Sequence, residues 1–196
     1  MFVTDKAGTY EFTLSDARAV TFEGVTIAGE TFSAYMRRGV NFVYGELPLP
    51  LFATPCEGKP LGYELKTNFA DCDKKYLSGA ENYAEYTVFA PADGVYAMNI
   101  PYSDNAEYGT HDYNVKLIER YADIEVNGYT ERVWFRNTYS WQTFAERVVY
   151  IKLKAGANNV RIYNANADDE VEEKRYLPYI RFEEVAFHEA FAARTE

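Results

Sequence analysis

The sequence predicts an all-β chain: an antiparallel β-sandwich of jelly-roll type with a small N-terminal β-hairpin appendage. Three observations carry this. The dominant hydrophobic period is two, and helical spacing is rare. Short strand-like runs recur between turn pairs such as Asp93-Gly94, Asn127-Gly128 and Ala155-Gly156. Aromatic residues make up 17% of the chain, with 18 Tyr and 13 Phe, and these residues suit a pleated, half-buried surface.

In chain order the strand-like runs are YEFTL (10–14), AVTFEGVTI (19–27), NFVYGEL (41–47), AEYTVFA (84–90), GVYAMNI (94–100), ADIEVNG (122–128), RVVYIKL (147–153), NNVRIYN (158–164) and YIRFEEVAF (179–187). The best helical candidate is DYNVKLIERYADI (112–124), with Val115, Leu117, Ile118 and Tyr121 near helical spacing; an extended strand after a loop is the preferred reading. One composition break divides the chain. LPLPLFATPCEGKPLG (47–62) holds four of the seven prolines. Proline fixes φ and removes a ladder donor, so this stretch reads as a connector and not as a central strand. Residues 1–55 are then a group of β-hairpins, either the tail of a preceding β domain or extra strands docked on the main sandwich, which residues 60–190 form. Most tyrosines, Tyr86, Tyr96, Tyr102, Tyr150 and Tyr163 among them, fall in strands and read as core or sheet surface with a polar tip.

Composition excludes several functions. Lys and Arg total 20 against 30 Asp and Glu, a formal net charge of -10, which argues against nucleic acid as a partner. Two Cys and two His make no convincing zinc site. No apolar run is long enough for a membrane-spanning helix. MFVTDKAGTYEF has neither the basic start nor the apolar core of a signal peptide, so the chain is either cytoplasmic or a fragment of a longer exported protein. Cys56 and Cys72 form a disulfide across the connector, or are two unrelated thiols; sequence cannot supply the Cα separation that a bridge requires. Carboxylates are too numerous to single out a glycosidase pair. No G-x-S-x-G segment occurs, and His111 beside Asp112 makes no dyad, because neighbouring side chains on a strand point apart. His188 reads as a surface residue.

Five segments form an ordered series: GYELK (62–66), YLSGAENYAEYTVFAPADGVYAMNIPYSDN (76–105), ADIEVNG (122–128), NTYSWQTF (137–144) and VVYIKLKAGANNVRIYN (148–164), closed by PYIRFEEVAF (178–187). In that order they resemble the β-sandwich carbohydrate-binding modules of families 6 and 35, over about two thirds of the chain. The hairpin at 148–164 also has its own physical reason, since Ala155-Gly156 supplies a turn tolerant of positive φ.

The resemblance implies a non-catalytic module that binds polysaccharide or oligosaccharide. Such modules are tied covalently to a glycoside-active enzyme, and are secreted or held at the cell surface, which favours the fragment reading. The alternatives are an accessory sandwich that braces a glycoside hydrolase and binds no sugar, and, behind it, a glycosidase. Sugar-binding modules stack an aromatic ring on the C–H face of a sugar and fix its orientation with polar side chains. The resemblance places that aromatic at Trp141. Tyr76 is a second wall, Tyr139 and Tyr83 are lesser candidates, and Asn164 and Asn166 are polar contacts. Trp134, inside a strand-like run with Phe135, reads as core. The family's structural calcium is implied by Glu64 in GYELK, but Arg181 stands where an acid is expected. A cation there repels Ca²⁺, so no metal is expected at Glu64, and Arg181 is expected to pair with Glu64 or a neighbouring acid. Calcium at Asp168 and Asp169 remains possible, although that acidic run is usually a solvated loop.

Overall fold

The computed structural model describes residues 2–22, 25–45, 51–55, 57–69, 75–77, 81–105, 107–108, 116–117, 119–164 and 180–193. Every regular element among them is a strand, so no helix is long and apolar enough to cross a membrane.

The N-terminal part contains β1 (Phe2–Thr4), β2 (Gly8–Phe22), β3 (Val25–Met36), β4 (Gly39–Asn41), β5 (Val43–Gly45) and β6 (Leu51–Pro55). β2 and β3 pair from Gly8↔Met36 to Phe22↔Val25, with a register shift between Thr13 and Arg18. The single run expected at 19–27 is therefore two strands: its halves pair with each other. The proline-rich connector also yields a strand. β6 pairs with β2 alone, at the edge, which is where a strand carrying Pro55 can stand.

The sandwich follows: β7 (Tyr63–Asn68), β8 (Tyr76–Leu77), β9 (Tyr83–Ala90), β10 (Gly94–Ser103), β11 (Glu107–Tyr108), β12 (Lys116–Leu117), β13 (Arg120–Val126), β14 (Tyr129–Phe135), β15 (Ala145–Leu153) and β16 (Gly156–Tyr163). β17 (Ile180–Phe182), β18 (Ala186–Glu189) and β19 (Phe191–Ala193) close the chain. One sheet has the order β15-β10-β17-β8, with β18 also on β10; the other runs β14-β13-β16-β9-β7. All pairings in both are antiparallel.

Strict alternation builds the core between the two sheets. From β9 come Ala84, Tyr86 and Val88; from β10, Tyr96, Met98 and Ile100; from β13, Ala122 and Ile124; from β15, Val149, Ile151 and Leu153; from β16, Val160 and Ile162. Phe135, Phe182 and Phe187 fill the space between them, with Tyr102 edge-on to Phe135 at 4.9 Å. Tyr86, Tyr96 and Tyr102 are buried as expected, whereas Tyr150 and Tyr163 are only partly so. The turns also hold their expected positions. Asn127 (φ 49) and Gly128 (φ 88) make the two-residue β13–β14 turn with both angles positive, the type that matches strand twist.

The N-terminal sheet is docked on the sandwich. β19 pairs with β3, so the last strand of the chain completes the first sheet. Ala97 and Val148 lie on the outward sides of β10 and β15, where they bury against Tyr35 and Ala190. The Tyr150 hydroxyl donates to the Tyr35 carbonyl at 2.7 Å, and Tyr35 N–H donates to the Ala190 carbonyl at 2.9 Å. His188 belongs to this junction and is not a surface residue. Its ring stacks on Tyr35 at 4.6 Å, and burial pushes its pKa down. Its strand alternates, so the face opposite the core residue Phe187 is the one that the N-terminal sheet covers.

Candidate functional site

Both sheets end together at one pole of the sandwich. The C-terminal ends of β10, β14 and β16 meet the N-terminal ends of β13, β15 and β17 there, because antiparallel neighbours exchange ends. The loop of residues 136–144 spans this pole, between β14 and β15.

This loop is fastened to the sandwich at several points. The Tyr102 hydroxyl oxygen accepts from Arg136 N–H at 3.1 Å. Thr138 N–H donates to the Asp104 carbonyl at 2.7 Å. The Thr138 hydroxyl accepts from Asp104 N–H at 3.0 Å, and its oxygen stands 3.0 Å from both the Asp104 and Ser140 carbonyls, either of which can accept its proton. Asp104 is fully buried. Ser103 Oγ donates to the Trp141 carbonyl at 3.0 Å, and Arg181 donates to the same carbonyl at 3.2 Å. Inside the loop, Asn137 Oδ1 accepts from Tyr139 N–H at 2.8 Å, and Ser140 Oγ accepts from Gln142 N–H at 3.1 Å, the usual Asn and Ser turn chemistry.

The fastening forces one residue into an unusual state. Tyr139 has φ 64, in the left-handed region, where a bulky non-glycine residue is uncommon. Holding it there costs on the order of 1–3 kcal/mol. Tyr139 is nonetheless 73% exposed, so the strain presents its ring to solvent instead of burying it. Trp141, the first sequence candidate, is half-buried two residues on, with its backbone tied down as above. Phe144 lies on the other side of Arg181, whose guanidinium stands 5.0 Å from the ring centroid.

The remaining sequence candidates divide. The backbone of Tyr76 pairs with that of Arg181, which puts β8 beside the same pole. Asn164 is fully buried, and its Nδ2 donates to the Tyr121 carbonyl at 3.3 Å, so it braces β16 against β13 and presents nothing to solvent. It leaves the strand on the inward phase set by Val160 and Ile162, which is why it is buried. Asn166, His111, Asp112, Asp168, Asp169 and the Cys56–Cys72 pair lie outside the described residues. Trp134 is the opposite of the expected core residue. Val133 and Phe135 face inward, so period two turns Trp134 outward, where it is 43% exposed and edge-on to Tyr121 at 5.2 Å.

Trp134 belongs to the outer face of its sheet. The register places Arg132, Asp123, Tyr163, Tyr83 and Asn68 in one row across all five strands. Arg132 grips Asp123 through two bonds, of 3.0 and 3.3 Å, and stands 4.0 Å from the Tyr121 centroid. Arg161 lies over both Tyr83 and Tyr163, at 4.7 and 5.0 Å. This face lends Tyr83 to Arg161 rather than to the pole.

The donor set does not fit the calcium that the resemblance implies. Arg181 donates to Glu183 Oε1 at 3.1 Å, a neighbouring acid as expected, and Glu64 stands exposed on the edge strand β7. A guanidinium in place of an oxygen ligand removes the charge a Ca²⁺ site is built on. Among the described residues no group of three or more His, Cys, Asp or Glu could hold a metal ion.

Asp104, Thr138, Ser103 and Tyr102 were not found by sequence reasoning. Their partners lie more than thirty positions away, and no local pattern announces such bonds.

No protein-family model matches the sequence, and no curated protein matches it. Solved structures do resemble it. A family 35 carbohydrate binding module from Clostridium thermocellum aligns over 67% of this chain and 91% of its own, with 24% identity and a TM-score of 0.45. The CBM35 from Cellvibrio japonicus Abf62 aligns over 71% and 93%, with 13% identity and a TM-score of 0.43. The Podospora anserina GH26-CBM35 β-(1,4)-mannanase aligns over 71% of this chain and 27% of its own, with 12% identity and a TM-score of 0.42.

Proposed function

We propose that this chain is a non-catalytic carbohydrate-binding module, with its sugar platform on the 136–144 loop. The observation that carries the reading is Tyr139: an exposed aromatic held in a left-handed backbone state by a loop anchored on buried Asp104. Strain retained at a solvent-facing aromatic is hard to explain as packing, and strained residues cluster at binding sites. The ordered series of strands and turns in the sequence supports the same class.

Tyr139 offers its ring to the C–H face of a sugar, and Trp141 forms the adjacent wall. The Ser140 hydroxyl donates to Gln142 Oε1 at 2.8 Å, and the amide NH₂ groups of Gln142 and Asn137 in the same loop are the donors that would meet a sugar. One aromatic platform contributes ~1 kcal/mol beyond area burial. Affinity for a short oligosaccharide is therefore on the order of micromolar to millimolar. Weak binding suffices for a module tethered to a glycoside-active enzyme outside the cell, where it raises the enzyme's effective concentration on polysaccharide.

A glycan array probed with the whole chain tests this, beside Tyr139→Ala and Trp141→Ala. The expected result is binding to at least one glycan class, weakened by both substitutions and most by Tyr139→Ala. Silence across neutral and acidic glycans would remove the reading in favour of a bracing sandwich.

A further inference from the structure

The long edges of the sandwich carry two open grooves between the sheets. The larger, about 490 Å³, runs between β14 and β15 over an aliphatic floor of Ile124, Val126, Val149 and Ile151. Tyr129, Glu131, Tyr150 and Lys152 also line it. The smaller, about 280 Å³, lies on the opposite edge, between β7 and the turn after β17. Its chemistry is different.

Tyr63, Leu65 and Thr67 of β7 form one wall of this cleft, Phe69 and Lys75 close an end, and Glu183 and Glu184 stand across from them. Buried Tyr86 and Val185 make the floor. The Tyr63 ring is fixed edge-on to Tyr86 at 5.4 Å and to Phe187 at 5.6 Å. Burial, and then the Glu184 carboxylate, push the Tyr63 hydroxyl above its usual range. The walls are tied together: Phe182 N–H donates to the Lys75 carbonyl at 3.2 Å, and Glu183 N–H donates to the Pro101 carbonyl at 3.0 Å. Lys75 also has a positive φ, 53, unusual for a residue other than glycine, so this cleft too holds backbone strain.

The geometry points to a second saccharide subsite here, taking one neutral pyranose or pentose ring of a glycan. The inference rests on the carbohydrate reading above and adds a site to it. Size sets the single ring: the cleft is smaller than the roughly 300 Å³ at which drug-sized pockets begin. Half-buried Tyr63 and Phe69 supply aromatic surface for the C–H face. Carboxylates accept only, so Glu184, and the oxygen of Glu183 not given to Arg181, suit the hydroxyl donors of a vicinal diol. Lys75 donates to a ring or glycosidic oxygen. Two carboxylates facing one ligand repel a uronate, which fixes the class as neutral. Together with the loop platform, two weak sites on one module would bind a long chain more tightly than either alone.

Backbone-amide NMR of the full chain separates the possibilities, titrated with cellohexaose, mannohexaose, xylohexaose and tetragalacturonate. The expected result with a neutral hexaose is two sets of shifts, one at residues 137–141 and one at Leu65, Thr67, Glu184 and Val185, saturating independently. Tyr139→Ala removes the first set only. Leu65→Arg blocks the mouth of the cleft at a residue 48% exposed, hence tolerant of change, and weakens the second set at least tenfold while leaving the first. Shifts confined to 137–141 would overturn the second subsite and leave the proposed function standing. Shifts at the edge set with tetragalacturonate equal to those with the neutral hexaoses would overturn the assigned class. No shifts with any probe would overturn both the subsite and the carbohydrate reading.

Discussion

Thr138→Val tests whether the platform loop is held as described. Valine has nearly the shape of threonine, so packing is conserved and only the hydroxyl is lost. That hydroxyl is the acceptor for Asp104 N–H at 3.0 Å and a donor to the Asp104 or Ser140 carbonyl at 3.0 Å. Asp104 is fully buried, so its N–H has no water to turn to. An orphaned buried donor costs about 1–3 kcal/mol, and the lost donated bond costs about 1 more. The backbone bond from Thr138 N–H to the Asp104 carbonyl survives, which keeps the total toward the lower half of that sum, about 2–3 kcal/mol. With a urea slope of about 1–3 kcal/mol/M, the midpoint should fall by about 0.7–3 M. The strain at Tyr139 is of the same order as this loss, so the loop releases it by opening, and glycan affinity falls as the competent fraction falls. Thr138→Ser retains the hydroxyl and should recover most of both. A Thr138→Val protein within about 0.5 kcal/mol of wild type in urea, the size of an ordinary surface substitution, would refute the anchoring argument.

Asn158 is buried and uses its whole amide: Oδ1 accepts from Lys154 N–H and Asn127 Nδ2 at 2.8 Å each, and Nδ2 donates to the Lys154 and Gly156 carbonyls at 2.7 and 3.0 Å. Asn158→Ala should cost about 2–4 kcal/mol by chemical denaturation, because four modest bonds go together. Tyr150→Phe removes the 2.7 Å bond to the Tyr35 carbonyl and should cost about 1 kcal/mol, read as earlier exchange of amides in β3 and β19. His188 is held below its ordinary pKa of 6.5 by burial. The unfolded chain therefore binds its proton first as pH falls, so stability is flat above about 6.5 and declines below it until the folded-state pKa is passed; urea midpoints from pH 7.5 to 5.0 should show the decline, and His188→Asn should lose it. Arg181 is paired with Glu183 and no acidic cluster among the described residues could hold a metal ion, so EDTA should leave glycan binding unchanged in the same gel or array.

The strands were legible because both sheets obey alternation. Tyr83–Ala90 alternates throughout, and Ala145–Leu153 departs from alternation at Val148, whose outward side the N-terminal sheet covers. Alternation failed where neighbours on both sides are apolar. Val133, Trp134 and Phe135 read equally well in either phase, and only pairing with β13 shows that the tryptophan faces out. It failed again at 19–27, where the sequence is strand-like on both sides of the Phe22↔Val25 pair. The return of β19 to β3 had no local signature, since the two segments lie at opposite ends of the chain. The candidate site was legible as a segment, NTYSWQTF, and not as a geometry. The resemblance pointed to Trp141, but the left-handed φ and exposure of Tyr139 come with anchors at Asp104, Ser103 and Arg181, which the sequence keeps far apart.

Affinity electrophoresis of wild type and Tyr139→Ala through gels loaded with neutral and acidic polysaccharides tests the central claim most directly. At least one polysaccharide should retard the wild type, and Tyr139→Ala should bind it about tenfold more weakly, the equivalent of about 1.4 kcal/mol. Equal retardation of the two proteins would contradict the assignment of Tyr139 as platform, and mobility unaffected by every polysaccharide would contradict carbohydrate binding itself.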